Sequence, residues 1–184
     1  MNRRVVLLAP LAVAAASGFG AWTILRRMKE GTFDPHDVPS QLIGKTIPPF
    51  EGLPALDDAT QGFNSAALTG TGQPLLVNFF ASWCVPCVIE APTLMLLKQQ
   101  NIPIWGIAYK DKPVAARAFL ARHGDPYTRI AMDEPGRVAI DWGVYGVPET
   151  YLLDRNGVVR WRQAGPITDD VLETQLKPML RSVA

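Results

Sequence analysis

Residues 75–87 of the 184-residue chain read LLVNFFASWCVPC, and they contain both of its cysteines. The first part, Leu75–Ala81, is an apolar run rich in strand-forming residues and interrupted only by Asn78. Such a run predicts a strand that is covered on both faces. Cys84 and Cys87 follow where the chain leaves this strand, so the sequence places a dithiol beside the predicted core.

A helix is predicted directly after the first cysteine. Residues 85–100 have helical length, with Pro86 in the first turn, where a missing backbone N–H costs no helical hydrogen bond. Pro92 lies inside the same run and should kink the helix, because it removes the hydrogen bond to the carbonyl of Val88. Cys84 therefore stands at the N-terminus of a helix that follows a buried strand.

The rest of the chain completes an α/β pattern. It predicts a second strand, a second helix that ends at Gly124, two strands around the hairpin signal Asn156-Gly157, and a closing helix. Their ranges are Ile102–Tyr109, Pro113–His123, Thr150–Asp154, Val158–Ala164 and Asp169–Leu180. A parallel strand-helix-strand-helix half followed by an antiparallel hairpin and a helix predicts a thioredoxin-like fold, with a central mixed sheet flanked by helices.

The N-terminal segment, residues 1–29, differs in composition from the rest. Residues 5–25 are 21 uncharged and mostly aliphatic residues, about the ~20 that a membrane-spanning helix needs. This length favours an uncleaved anchor in the lipid bilayer, since a signal core usually runs only ~7–15 residues. A cleaved signal peptide is the alternative, because Ala14–Ser17 offer small residues to a peptidase. Basic residues flank the segment on both sides, so charge alone leaves its orientation open.

A linker, residues 30–42, separates this segment from the predicted domain, residues 43–184. The linker is rich in proline and aspartate, which predicts an irregular connection. Five of the 18 basic residues and none of the 17 acidic ones lie in residues 1–29, which leaves residues 30–184 with a net charge of −4. Nucleic-acid binding relies on basic surfaces that neutralise phosphates, so this composition argues against a nucleic-acid partner.

The dithiol is predicted to be redox-active. The N–H groups and the positive dipole at a helix N-terminus stabilise a thiolate, which makes Cys84 the attacking thiol and Cys87 the less exposed, resolving one. A structural disulfide is one alternative, but closing so short a loop stabilises by only roughly 2 kcal/mol. Zinc is the other, but a closed site needs four ligands, and His36 and His123 lie far from the cysteines in sequence.

Two motifs give the chain a family resemblance. Residues 79–87, FFASWCVPC, are similar to the active-site segment of thioredoxin-fold oxidoreductases, and residues 143–150, GVYGVPET, resemble the signature of the CcmG/DsbE branch, the thiol-disulfide proteins of cytochrome c biogenesis. Further matching segments are Leu42–Lys45, Tyr109–Asp111 and Thr150–Asp154. The resemblance implies a bacterial inner-membrane protein with a single anchor and its soluble domain in the periplasm.

The resemblance also implies roles for residues beyond the cysteines. Pro148 matches the proline that is cis in this fold and packs against the dithiol. Glu149 then lies near the active site, although a solvated turn residue is the alternative. Tyr145 and Val147 belong to the same loop and are expected to contact substrate, with packing beneath the loop as the alternative for Tyr145. Trp83 is expected to shield the sulfur of Cys84, although a Trp at a strand end is also ordinary packing.

Glu90 is a third candidate catalytic residue. It lies three positions after Cys87, one helical turn along the same face. A carboxyl that is partly buried there has a raised pKa and can exchange a proton with Cys87, whereas an exposed helical Glu is the alternative. Asn78 occupies the place at which ordinary thioredoxins have a buried Asp. Because Asn cannot ionise, proton transfer is expected to fall to Glu90.

These residues and the resemblance together imply a protein-disulfide reductase. Its expected substrate is the disulfide of apocytochrome c or of a CcmH-like assembly protein, and its expected electron donor is a membrane dithiol protein of the DsbD or CcdA kind. No metal or cofactor is expected besides the redox-active disulfide Cys84–Cys87. The alternatives are a broader extracytoplasmic reductase of the ResA/TlpA kind and a non-catalytic module that binds apocytochrome.

The first prediction concerns residues 1–29. We expect them to stay attached and to hold the protein in the membrane, because residues 5–25 are long enough to span the hydrocarbon core. Membranes washed with alkaline carbonate should retain the full-length chain. Release of a soluble form with a new N-terminus near Ser17 would instead show a cleaved signal.

Overall fold

The computed structural model describes residues 13–23, 25–26, 40–57 and 61–183. The chain divides into two compact units, residues 1–39 and 40–184. Residues 13–23 and 25–26 are helical. Within the described ranges, no helix is both long and apolar enough to cross a membrane. The proposed anchor, residues 5–25, extends beyond the described residues, so it stays a prediction.

The second unit is built on a five-stranded mixed sheet with the order β3-β2-β1-β4-β5. Its central strand β1 pairs in parallel with β2 and antiparallel with β4, and all six of its residues are buried. The strands are β1 Leu75–Phe80, β2 Ile104–Tyr109, β3 Arg129–Asp133, β4 Glu149–Leu153 and β5 Val159–Ala164. The predicted buried strand and the thioredoxin-like mixed sheet are both confirmed.

Helices cover both faces of this sheet. They are α1 Ser65–Thr69, α2 Val85–Gln99, α3 Pro113–His123, α4 Arg137–Asp141 and a C-terminal helix α5, which runs as Asp169–Val171, a π-helical stretch Leu172–Leu176, and Lys177–Val183. Helix α2 has Cys84 as its N-cap and contains Pro92, as the sequence predicts. Helix α3 ends before Gly124, whose φ of 95° is in the region that favours glycine.

The structure adds elements that the sequence pattern does not predict. The short helices α1 and α4 have only five residues each, too few for a helical period to be visible, and strand β3 is not predicted either. Strand β2 begins at Ile104 and not at Ile102, because Pro103 has no N–H to donate to a neighbouring strand. Its carbonyl oxygen accepts a hydrogen bond from Leu76 N–H at 2.9 Å.

The two faces of β1 contribute to two different parts of the core. Leu76 and Phe80 pack with residues of α2, α3 and α5, whereas Val77 and Phe79 pack on the opposite face of the sheet. Side chains alternate along a strand, so Asn78 points to the same face as Leu76 and Phe80. A polar residue in the middle of β1 therefore faces helix α2, which carries the dithiol.

The second prediction tests this core on helix α2. We expect Leu97→Ala to lower the free energy of unfolding by about 2–5 kcal/mol, because its fully buried side chain would leave a cavity. Urea denaturation of residues 40–184 measures this change. The neighbouring Leu96→Ala is the matched control, because Leu96 is 46% exposed and its loss should cost only about 0.5 kcal/mol. Equal losses for the two variants would contradict the assigned packing.

Candidate active site

The dithiol lies where strand β1 gives way to helix α2. Cys84 and Cys87 form a disulfide with their Cα atoms 5.3 Å apart. The backbone N–H of Cys87 donates to the Sγ atom of Cys84 at 3.1 Å, so the sulfur takes the place of a side-chain cap. This N–H and the positive end of the helix dipole both stabilise negative charge on the Cys84 sulfur. The geometry fits the predicted attacking thiol.

The sequence predicts that Cys87 is less exposed than Cys84, but the structure shows no such difference. Both residues are 3% exposed in this disulfide form, so Cys84 is not the more accessible one. Trp83, in contrast, is 57% exposed, and its indole N–H donates to the carbonyl of Lys110 at 3.2 Å. The sulfurs are buried because each is in contact with the other and with neighbouring chain segments. The distinction between them rests on the helix N-terminus and not on access.

A loop before strand β4 contacts the dithiol from the other side. The Val147–Pro148 peptide bond is cis, as the resemblance implied. The carbonyl oxygen of Val147 lies 3.2 Å from the Sγ atom of Cys84. Pro148 is buried, whereas Tyr145 in the same loop is 52% exposed. The loop therefore places a backbone carbonyl beside the reactive sulfur and leaves the side chain of Tyr145 at the surface. Contact of Tyr145 and Val147 with substrate stays a prediction.

Glu90 is buried, so the alternative of an exposed helical residue is wrong. Its side chain is 1% exposed and accepts hydrogen bonds from Asn78 Nδ2 at 3.0 Å, the Ile167 N–H at 3.2 Å and Thr150 Oγ1 at 3.4 Å. Burial raises the pKa of Glu90 to about 7, and these three hydrogen bonds oppose the rise without cancelling it. A carboxyl with this proton affinity exchanges protons readily near neutral pH.

Asn78 connects Glu90 to residues from distant parts of the chain. Its amide also donates to Thr150 Oγ1 at 2.9 Å, and its Oδ1 atom accepts from Tyr127 Oη at 2.6 Å. Burial, followed by the charges of Glu90 and Asp125, raises the pKa of Tyr127 well above its usual value, so its hydroxyl stays protonated. The sequence pattern singles out Asn78 and Glu90 but not Tyr127, since no local spacing relates residues from separate elements.

Cys87 and Glu90 face one small cavity. Its volume is about 10 Å³, and Asn78 and Tyr127 also line it. This is close to the smallest cavity that accommodates a water molecule between polar groups. A water-sized space therefore adjoins both Cys87 and Glu90.

Glu149 forms a second buried acidic site. It is the first residue of β4 and is fully buried, so the alternative of a solvated turn residue is wrong. Its Oε1 atom accepts a hydrogen bond from Arg162 Nε at 2.6 Å and another from the Tyr151 hydroxyl. The guanidinium of Arg162 lies 5.2 Å from the centre of the Tyr145 ring. Glu149 thus orients Arg162 beneath an exposed residue of the active-site loop.

The described ranges contain no cluster of three His, Cys, Asp or Glu residues that could hold a metal ion.

Comparison with known proteins identifies the family. The redoxin family model matches residues 42–176. The thiol:disulfide interchange protein HelX of Rhodobacter capsulatus is 44% identical over 151 residues, which cover 82% of this chain and 84% of that protein. The thiol:disulfide interchange protein DsbE of Escherichia coli K12 is 40% identical over 177 residues, which cover 96% of this chain and 94% of that protein.

Solved structures agree with these relatives. A Chlorobium tepidum protein assigned as a thiol:disulfide interchange protein DsbE superposes with a TM-score of 0.59 at 28% identity, covering 75% of this chain and 97% of that one. The two sequence relatives are matched over 84% and 94% of their own lengths, and the solved structure over 97% of its length. The chain therefore belongs to the redoxin family and, within it, to the DsbE/HelX (CcmG) group of thiol:disulfide interchange proteins.

Proposed function

We propose that this protein is a membrane-anchored periplasmic reductase that opens a disulfide of apocytochrome c, or of a CcmH-like assembly partner, during cytochrome c maturation. The observation that carries the proposal is the position of the Cys84 sulfur at the N-terminus of α2, 3.1 Å from the Cys87 N–H and 3.2 Å from the Val147 carbonyl oxygen. Relatives at 40–44% identity are named as thiol:disulfide interchange proteins, which supports the same class of reaction here.

The reaction proceeds by two thiol–disulfide exchanges. The Cys84 thiolate attacks one sulfur of the substrate disulfide, which forms a mixed disulfide and releases the first substrate thiolate. Cys87 then attacks the Cys84 sulfur, which releases the second substrate thiolate and leaves the Cys84–Cys87 disulfide. Two electrons pass from the protein to the substrate, and the released substrate sulfurs take up two protons.

Glu90 supplies the proton transfer that the second step needs. Cys87 attacks only as a thiolate, and its proton must leave a buried site. Glu90 has a pKa of about 7 because of its burial, and it adjoins the same small cavity as Cys87. When ionised, it accepts the proton of Cys87, and it returns that proton to solvent or to the departing substrate thiolate.

The oxidised protein must then be reduced again. A membrane dithiol protein of the DsbD or CcdA kind is the proposed donor, and residues 5–25 would keep the two in the same membrane. In this proposal the domain that carries Cys84 and Cys87 lies on the periplasmic side of that membrane.

The direction of electron flow is tested by the reduction potential. The soluble domain is equilibrated with defined ratios of reduced and oxidised dithiothreitol or glutathione, and the fraction of Cys84–Cys87 disulfide is measured. A reductant is expected to have a potential well below that of a strong oxidant such as DsbA, about −120 mV. A value near the DsbA potential would contradict the proposed direction.

The third prediction assigns the nucleophile. We expect Cys84 to be alkylated before Cys87 in the reduced domain, because the Cys87 N–H and the helix dipole stabilise its thiolate. Brief treatment with iodoacetamide followed by peptide mass spectrometry measures the order. Reversed or equal labelling would mean that the attacking thiol is wrongly assigned.

The fourth prediction concerns Glu90→Gln. We expect it to slow resolution of the mixed disulfide by about 10²–10⁴-fold, because glutamine cannot accept the proton of Cys87. In the parent protein the pH profile of the rate should show an inflection near pH 7, where Glu90 ionises, and the variant should lack this inflection, because its rate follows only the ionisation of Cys87. Rapid-quench kinetics with a CxxCH peptide disulfide between pH 6 and 9 measures both effects.

Two controls accompany this variant. Glu134→Gln removes an exposed carboxyl that pairs with Lys112 and should leave the rate unchanged. Stability provides the second control. Because the folded state raises the pKa of Glu90 from 4.5 to about 7, the parent should lose stability as pH rises through that window, and Glu90→Gln should not. Rates close to those of the parent across pH 6 to 9 would remove Glu90 from the mechanism.

A further inference from the structure

The segment between β1 and α2 is held by a residue that follows a different strand. Asp111, just beyond the end of β2, is buried. Its Oδ2 atom accepts a hydrogen bond from the Ser82 N–H at 2.6 Å, and its Oδ1 atom accepts from the Ser82 hydroxyl at 2.8 Å. Oδ1 also accepts from the Lys112 N–H at 2.8 Å. One carboxylate therefore binds both the backbone and the side chain of Ser82, two residues before the reactive cysteine.

Lys110, the residue before Asp111, is hydrogen-bonded to two other segments of the chain. Its N–H donates to the Asp133 carbonyl at the end of β3 at 3.0 Å, and its own carbonyl accepts from the Trp83 indole at 3.2 Å. Its φ is 45°, a left-handed conformation that residues other than glycine adopt rarely. Such a conformation persists where surrounding contacts over-determine it. Lys110 and Asp111 thus hold Trp83 and Ser82 in place through hydrogen bonds.

The place of the Cys84 sulfur depends on this segment. The Cys84 N–H donates to Ala81 at 3.2 Å, and Cys84 has extended backbone angles, φ −90° and ψ 107°, before α2 begins. Cys84 follows Ser82 by two residues, so a change in the backbone conformation at Ser82 would move the Cys84 sulfur away from the Cys87 N–H and the Val147 carbonyl. We propose that Asp111 is a positioning residue for the dithiol: by holding Ser82, it keeps the Cys84 sulfur at the first N–H groups of α2.

The carboxylate has two effects of opposite sign on Cys84. By holding the segment, it keeps the sulfur beside an N–H donor and the helix dipole, which favours the thiolate. By its negative charge, it disfavours a nearby thiolate. Three donated hydrogen bonds offset much of that charge. Removal of the Asp111 carboxylate therefore raises the pKa of Cys84 if the positioning effect dominates and lowers it if the charge effect dominates.

The test compares Asp111→Asn with the matched control Asp154→Asn in the reduced full-length protein. An asparagine at position 111 has only one acceptor oxygen, so it cannot bind all three donors. Asp154 is also buried and accepts from the Asn156 and Val158 N–H groups at 2.8 and 3.0 Å. It follows β4 at the end away from Pro148, so it does not touch the dithiol segment. The rate of Cys84 alkylation is measured against pH for both variants.

We expect Asp111→Asn to move the midpoint of this pH profile upward and to slow alkylation at pH 7 by about fivefold, the equivalent of one hydrogen bond of about 1 kcal/mol. Asp154→Asn should lower the stability and leave the midpoint unchanged. An unchanged or lower midpoint for Asp111→Asn would overturn the proposal, because the residue would then be merely structural or would act through its charge.

Ser82→Ala keeps the proposal testable if Asp111→Asn fails to fold. It removes only the 2.8 Å hydroxyl bond, so we expect a smaller upward shift of the midpoint. An unchanged midpoint in that variant would then overturn the proposal. The inference rests on Cys84 being the nucleophile, as proposed above. A failure of that role would appear in the parent protein, as labelling of Cys87 first, whereas a failure of the present inference would appear only in the variants.

Discussion

The contact between the Cys87 N–H and the Cys84 sulfur is the interaction on which the chemistry of this protein depends. It exists because helix α2 begins at Val85 with Cys84 as its N-cap, a short connection after the end of β1 at Phe80. Strand β1 is the central strand of the sheet, and its last residues are still paired with neighbouring strands, Phe80 with Ala108 of β2 and Phe79 with Glu149 of β4. The Cys84 sulfur, close to that point, therefore stays beside the Cys87 N–H and the positive end of the α2 dipole.

Two buried carboxylates, those of Glu149 and Glu90, have different hydrogen-bond partners. Glu149 is paired with the guanidinium of Arg162, a permanent cation, and this pairing suits a structural role beneath Tyr145. Among the described residues, the hydrogen bonds to Glu90 come from neutral donors, Asn78, Thr150 and the backbone of Ile167, and burial raises its pKa to about 7. Neutral donors stabilise the carboxylate less than a cation does, which leaves Glu90 able to exchange its proton at physiological pH.

These arrangements have a cost in stability that the fold offsets elsewhere. An ionised Glu90 disfavours the folded state above the pH at which it titrates, since the unfolded chain solvates the charge better. The large apolar core on both faces of the sheet supplies the compensation. The strained backbone at Lys110 is a second local cost, and hydrogen bonds to Asp133 and Trp83 hold it in place.

The sequence alone determined the covered strand, the helix after it, the order of the main elements and the dithiol, because each of these follows from local composition and spacing. The resemblance added the cis bond before Pro148, which the structure confirms. Only the tertiary structure decided that Glu90 is buried, that Tyr127 reaches Asn78 and that Asp111 holds Ser82. Those contacts join residues from separate elements, and a local pattern carries no information on which distant residue the folded sheet will bring within hydrogen-bond distance.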